Sequence, residues 1–504
     1  MTPEMTSFLP LAAVAVPLVV ALGVALTGRW PNIREAITLV GSVATAGIVL
    51  SMLPAALAGE APSTPLLALL PGVELGLRAD GLGMAFATVA AVLWVLASVY
   101  SIGYMRGEKA KKQTRFYASF AACLATAFGL AFSADLLTFF LFYELLTIAT
   151  YPLVVHKETP EALAAGRKYL GYLLTGGVAL LLAVVIVYGA TGTLEFAAGG
   201  FAAEALGDAG VIGVFALMAL GFGSKAAVMP LHSWLPSAMV APTPVSALLH
   251  AVAVVKAGVF GFARAIGYVL GPEPLADIGA TTVLAVLAAV TVLVGSLVAI
   301  VQDNLKRRLA FSTIAHLSYI VLGLSILSVA AWDGALLHII NHAVLKITLF
   351  FAAGAIYVHA HLDKVSQLDG LGRVMPVTMG AFGVASLGLA GVPPMGGFVS
   401  KMQLVLGSVD AGQAAFGAVL LLSGLLAAGY LFPIVYRAFL VAPAAELPVQ
   451  REATPFMVVP LAVTAGLGLL LGLGDLSGLG AIADSVAAAV VEVDGEAVTA
   501  GAGR

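Results

Sequence analysis

Apolar runs of eighteen or more residues, separated by short polar or Gly- and Pro-containing breaks, recur along the whole chain. A helix of that length spans a hydrocarbon core of roughly 30 Å, so each run predicts a membrane crossing. The runs lack the apolar/polar alternation of barrel strands, and lipid offers no partner to backbone outside a helix or closed barrel. The pattern therefore predicts an all-α polytopic membrane protein of about fourteen transmembrane helices. They fall near residues 7–27, 33–55, 80–104, 115–133, 136–155, 165–190, 209–240, 244–269, 279–301, 308–330, 333–358, 375–409, 412–440 and 454–474.

Two of these runs are too long for one plain crossing. The seventh contains Pro230 and Pro236, and the twelfth contains Pro393, Pro394, Gly396 and Gly397. Proline removes a backbone donor and clashes with the preceding turn, so both are read as broken helices. Non-helical backbone at membrane depth needs cover from protein or a water-filled cavity, which makes both breaks candidate sites. Helices four to eight and nine to thirteen form two blocks of five. An odd number of crossings turns the second block upside down, and the broken helix is the fourth member of each. That is the pattern of an inverted repeat with a site near the midplane. The expected organisation is one transmembrane domain over 1–504: helices one to three in 1–110, repeat one in 111–270, repeat two in 271–442, and helix fourteen with a short tail in 443–504.

Charge sorts by side. Lys109, Lys111, Lys112, Arg115, Lys157, Arg167, Lys168, Lys306, Arg307, Arg308, Lys364 and Arg373 lie in loops or at span ends on the side reached after odd-numbered helices, whereas Arg78, Arg264 and Arg504 mark the other side. Positive loops stay inside, so both termini are expected outside. The segment Met1–Pro10 has no basic stretch or small-residue cleavage site, which predicts an uncleaved first helix.

The composition fits this class, with 61% hydrophobic and 10% charged residues and a net charge of -3. Mean hydropathy is +1.05. Nothing points to nucleic acid. The lone Cys123 lies in an apolar run, which removes disulfides and cysteine-ligated clusters from consideration. No nucleotide, flavin or quinone motif is evident, so no cofactor is expected.

Five Asp, Glu, Lys or Arg residues lie at least eight residues from either end of a predicted span: Glu144, Lys225, Lys256, Lys346 and Lys401. Unpaired, each opposes insertion by roughly 2.5–3.5 kcal/mol, so they must pair or line a hydrated path. Glu144 is close to the midplane and too short to reach the interface. Lys225 precedes Pro230 by five residues, where a missing backbone bond admits water. Opposite charges two helices apart make these two the natural pair. Lys256 follows His250 by almost two turns. His338, His342 and Lys346 repeat at i, i+4 and i+8, a ladder of about 12 Å along one helical face. Each imidazole accepts on one nitrogen and donates from the other, which suits proton relay. A metal at the histidine pair would need a third ligand, and Lys346 is a poor neighbour for a dication. Lys401 follows the Pro-Pro-Met-Gly-Gly break towards the outer face, and His316 in the tenth helix is placed to bridge the two halves. Proton transfer then needs only coupled titration: burial weakens a lysine's hold on its proton and an ionised carboxylate strengthens it.

The stretches GSKAAVMPLHSWLPSAMVAPTPVSALLHAVAVVKAGVF, HIINHAVLKITLFFAAG and GLAGVPPMGGFVSKMQL, with the helix around Glu144, resemble the antiporter-like subunits shared by respiratory complex I, membrane-bound hydrogenases and Mrp-type cation/proton antiporters. The resemblance spans nearly the whole chain. It implies that Glu144 and Lys225 form a switching ion pair, that Lys256 and the 338/342/346 face form the central relay, and that Lys401 is the terminal proton site. Lys401 and the short tail favour the D-type Mrp subunit over two of the complex I subunits, whereas the APTPVSALLH stretch is closer to complex I and to the large Mrp subunit. Related modules also occur in inorganic-carbon uptake systems. The implied function is proton translocation within a multisubunit membrane complex, most simply Na+/H+ exchange. The implied partners are small hydrophobic membrane subunits, H+, Na+ and the lipid bilayer, and the implied location is a prokaryotic inner (plasma) membrane. A stand-alone solute transporter and a non-conducting scaffold are the rival readings.

Overall fold

The structure, a computed structural model, describes residues 4–443, 447, 451–474, 478–493 and 496–497. Its helices, in chain order, begin with α1 (Leu9–Leu26), α2 (Pro31–Leu57), α3 (Gly81–Gly107), α4 (Gln113–Ala131), α5 (Leu136–Val154), α6 (Pro160–Thr191) and α7 (Ala203–Ala226). The middle of the chain forms α8 (Trp234–Ser237), α9 (Thr243–Ala251), α10 (Val254–Arg264), α11 (Pro272–Asp277), α12 (Ala280–Val301), α13 (Leu305–Ser325) and α14 (Val329–Ala360). Then come α15 (Pro376–Ala390), α16 (Gly396–Asp410), α17 (Ala414–Leu440), α18 (Pro455–Leu470) and α19 (Leu479–Val491). Every predicted span falls on a helical segment. Among the described residues, eleven helical segments are long and apolar enough to cross a membrane.

Caps set many of the ends. Asp80, Asp135, Thr159, Asn304 and Ser328 each accept a backbone N–H at the start of α3, α5, α6, α13 and α14, satisfying donors the helix itself cannot. Burial then separates two kinds of helix. On α1 and α12, Leu18, Val19, Leu22, Val283, Val286, Leu287 and Val290 are exposed, giving lipid-compatible faces. The most apolar window of α14 is instead fully buried, as is that of the 243–270 segment. A helix covered all round is a bundle core, and these two carry most of the candidate residues.

Three features depart from the sequence reading. Strands appear at the end reached after even-numbered helices: β1 (Glu4–Thr6) runs parallel to β2 (Ala61–Leu70), which pairs antiparallel with β3 (Val73–Arg78) across a turn at Pro71–Gly72. Gly72 has φ +75°, the left-handed value that the third position of such a turn requires. The eighth span, expected to be continuous, is interrupted at Val252 and Ala253 and ends in a π-helical turn over Ala265–Leu270. The short tail contains α19, which packs on α3 and α14. Arg504, assigned to the outer side above, lies outside the described residues.

Both expected breaks are present, and neighbouring groups satisfy their backbone. Where α7 stops, the Trp234 indole N–H donates to the Ser224 carbonyl at 2.8 Å, and the Met229 N–H donates to Thr291 Oγ1 at 3.1 Å. Where α15 stops, at Gly391 with φ +90°, Lys401 Nζ donates to the Leu389 and Ala390 carbonyls at 2.6 and 3.3 Å. Asn341 Nδ2 donates to the Gly396 carbonyl at 2.8 Å where α16 begins.

Candidate functional site

The first cluster forms where α5, α6 and α7 meet. Gly176 and Gly177 let α6 approach closely: a Cβ on Gly176 would meet Ser224 Oγ, and one on Gly177 would meet the Glu144 carboxylate. Glu144 is half-buried and its Oε1 has no hydrogen-bond partner among the described residues. Lys225, in the last turn of α7, is fully buried. Its ammonium donates to the Tyr143 carbonyl and sits 3.3 Å from the centre of the Tyr143 ring. The implied ion pair is therefore not closed in this structure. The two groups occupy neighbouring positions around Tyr143, and Lys225 takes its charge compensation from a carbonyl and a π face.

The second cluster begins where α10 crosses α7. A Cβ on Gly258 would collide with the Phe222 carbonyl and the Ala226 N–H, so Gly258 lies against α7, and Lys256, two residues earlier, falls on another face of α10. Lys256 lies three residues after the Val252–Ala253 interruption, is 1% exposed, and its Nζ has no hydrogen-bond partner among the described residues. Both nitrogens of buried His250 are also unpartnered among the described residues, and its ring lies 4.8 Å from that of Phe350. His342 is likewise buried with both nitrogens free. Buried polar atoms normally find a partner, and ordered water is the partner such pockets take.

The third cluster is continuous. Lys346 Nζ donates to Ser312 Oγ at 2.8 Å and to the Leu309 carbonyl at 3.3 Å. Ser312 Oγ lies 2.9 Å from the Tyr430 hydroxyl, which lies 3.4 Å from His316 Nε2. His316 Nδ1 is 3.1 Å from His338 Nε2, and His338 Nδ1 is 2.9 Å from Ser400 Oγ. Tyr319 stacks on both imidazoles, with centroids 5.1 and 5.4 Å away, and carries Lys401 Nζ over its face at 5.0 Å.

His316 thus links α13 to α14 and α17, all within 271–442, and among the described residues its hydrogen bonds do not reach the first block that the sequence reading expected it to bridge. The 338/342/346 ladder is not itself hydrogen-bonded along α14. His342 approaches His316 and His338 only by ring contact, with centroids 5.6 and 6.1 Å apart. The links run through Ser312 on α13 and Tyr430 on α17, which the sequence reading passed over because buried hydroxyls are ordinary in membrane helices. The sequence reading also counted Arg264 only as a charge marking the outer side and passed over Asp333, and both are buried at span ends. Arg264 pairs bidentately with Asp80 at 2.6 and 2.9 Å inside a cage of Phe196, Phe260 and Tyr268. Asp333 lies buried in the first turns of α14, with Asp484 of α19 and Gln403 beside it. Both were visible as ionisable residues at the edges of apolar runs.

Fold and site together define a polytopic membrane protein whose buried protonatable side chains run through its core. Residues 133–427 match the family described as NADH:quinone oxidoreductase/Mrp antiporter, TM, and residues 72–117 match the complex I chain 5 N-terminus. The chain belongs to this NADH:quinone oxidoreductase/Mrp antiporter family. It is 34% identical over 487 residues to NADH-quinone oxidoreductase subunit N of Desulforudis audaxviator (strain MP104C), covering 92% of this chain and 95% of that protein. It is 33% identical over 391 residues to a subunit of the probable K(+)/H(+) antiporter of Rhizobium meliloti (strain 1021), covering 76% of this chain but only 38% of that longer protein. In fold it is similar to a chain of the Mrp complex from Dietzia sp. DQ12-45-1b, with a TM-score of 0.84, 23% identity, and 96% and 97% of the two chains covered.

Proposed function

We propose that this chain translocates protons as one subunit of a multisubunit membrane complex, and that the complex exchanges Na+ for H+ in the Mrp manner. The observation that carries the proton reading is the unbroken set of hydrogen bonds from Lys346 to Ser400. Groups that each donate and accept, placed in series and buried, are what proton transfer through a membrane core needs.

In this reading Glu144 and Lys225 are the input switch. Motion of the Glu144 carboxylate towards the ammonium would tighten the hold on that proton, and its withdrawal would free the proton for the Lys256, His250 and His342 region. There the unpartnered nitrogens support a water-bridged junction leading to Lys346. Lys401, seated on the end carbonyls of α15, is the terminal group. The blocks 111–270 and 271–442 act as inverted copies, a reading supported by the break in the fourth helix of each. Both termini face outward from a prokaryotic inner membrane, supported by the basic loops on the opposite side.

A subunit of a complex I-type proton pump is the second reading, favoured by the nearly end-to-end match to subunit N. Purification in mild detergent separates the two. Only small hydrophobic partners, with Na+-dependent proton movement, fit the Mrp reading, whereas co-purifying redox subunits fit the second. Both require Lys225: Lys225→Ala is expected to abolish proton movement at unchanged complex abundance, and full transport would leave a scaffold role instead.

A further inference from the structure

The run from Lys346 to Ser400 starts on α14, crosses α13 and α17, and returns to α14 before reaching α16. Its midpoint is a side chain that carries no charge at neutral pH. We propose that the Tyr430 phenol is a proton-carrying residue that links Lys346 to the His316–His338 pair, so that the route bypasses His342. The proposal rests on the proton-translocating reading above and names the path within it.

The geometry leaves Lys346 one side-chain exit. Its ammonium donates to Ser312 Oγ and to a backbone carbonyl that cannot pass a proton on, while His342, one turn away on α14, bonds to neither Lys346 nor His338. Because an ammonium only donates, Ser312 accepts from it and its own O–H is free to donate to Tyr430. One donor order then satisfies every link: Ser312 to Tyr430, Tyr430 to His316 Nε2, His316 Nδ1–H to His338 Nε2, and His338 Nδ1–H to Ser400. Ser400 in turn donates to the Gly397 carbonyl at 3.3 Å.

The transfer balances along this order. One N–H of Lys346 and the O–H bonds of Ser312 and Tyr430 break. New bonds form at Ser312 Oγ, Tyr430 Oη and His316 Nε2. Lys346 is left neutral, both hydroxyls are restored, and His316 becomes an imidazolium that shares its Nδ1 proton with His338. Rotation of the two hydroxyls resets the path.

The position of Tyr430 is set from its backbone. Arg308 donates to the Tyr430 carbonyl at 3.0 Å and, from the same guanidinium, to the Gln302 and Ile300 carbonyls at 2.7 and 3.1 Å. This ties α17 to the end of α12 and holds the phenol between Ser312 and His316. At 3.4 Å, the Tyr430–His316 link is the longest in the run and the natural point of control.

The test compares Tyr430→Phe with Tyr100→Phe in membrane vesicles holding the whole complex, reading proton flux and complex abundance. Tyr100 on α3 is also buried, but its hydroxyl donates to the Phe351 carbonyl at 2.7 Å, away from the run. Tyr430→Phe is expected to lower flux roughly tenfold or more, with Tyr100→Phe close to the parent rate. Ser312→Ala should fall with Tyr430→Phe, and Ser312→Thr, which keeps a hydroxyl, should recover. If Tyr430→Phe accumulates poorly, the Ser312 pair reads the same link. Parent-like flux in Tyr430→Phe or in Ser312→Ala, or an equal loss in Tyr100→Phe, overturns the proposal. If Lys225→Ala also keeps full flux, the proton-translocating reading itself has failed. If Lys225→Ala is inactive and Tyr430→Phe is active, only the path through Tyr430 has failed.

Discussion

Glu144 sits where it does because Gly177 has no side chain. A Cβ there would run into the carboxylate, so Gly177→Ala is expected to displace Glu144 without changing any charge. Proton flux should fall several-fold at unchanged complex abundance, and flux equal to the parent's would show that the carboxylate's position does not matter. The same residue illustrates what was legible beforehand. Glu144, Lys225, Lys256, Lys346 and Lys401 stood out because ionised groups are costly in an apolar run. Ser312 and Tyr430 did not, because a lone hydroxyl costs little and can bond its own helix. Nor could sequence show that Lys225 rests on Tyr143 rather than on Glu144, since that depends on side-chain direction across two helices.

At the scale of elements, the breaks after α7 and α15 were readable from proline and glycine. The interruption between α9 and α10 was not, because HAVAVVK contains neither residue. β2 and α19 were missed for a related reason: both are apolar, but too short to cross a membrane. The corner joining α5 to α6 gives a pH test away from the membrane core. Burial, and then the nearby Arg115, hold His156 down to about 4, while Lys112 and Arg115 bond Glu158 and hold it down to about 2. A histidine kept neutral by folding favours the unfolded form once the solution falls below its ordinary value near 6.5. The corner should therefore lose stability between pH 6.5 and about 4, while Glu158 keeps its bonds until far more acid conditions. Hydrogen exchange at residues 155–159, corrected for intrinsic rate, should rise across that window and stay flat in His156→Asn. A flat parent profile would contradict the assignment.

At the scale of the molecule, the exposed surface argues for company. Leu141, Leu145 and Ile148 flank Glu144 on an open face of α5, so a half-covered carboxylate lies beside apolar surface. Lipid is a poor neighbour for that group, and a second membrane subunit is a better one. The proposed proton path depends most on Lys346, where the hydrogen-bonded run begins. The direct measurement is proton flux, followed by a pH-sensitive dye, in inverted vesicles carrying the intact complex with Lys346→Met. Near-complete loss of flux is expected, with the complex assembled at parental abundance, and parental flux in that variant would contradict a proton path through Lys346.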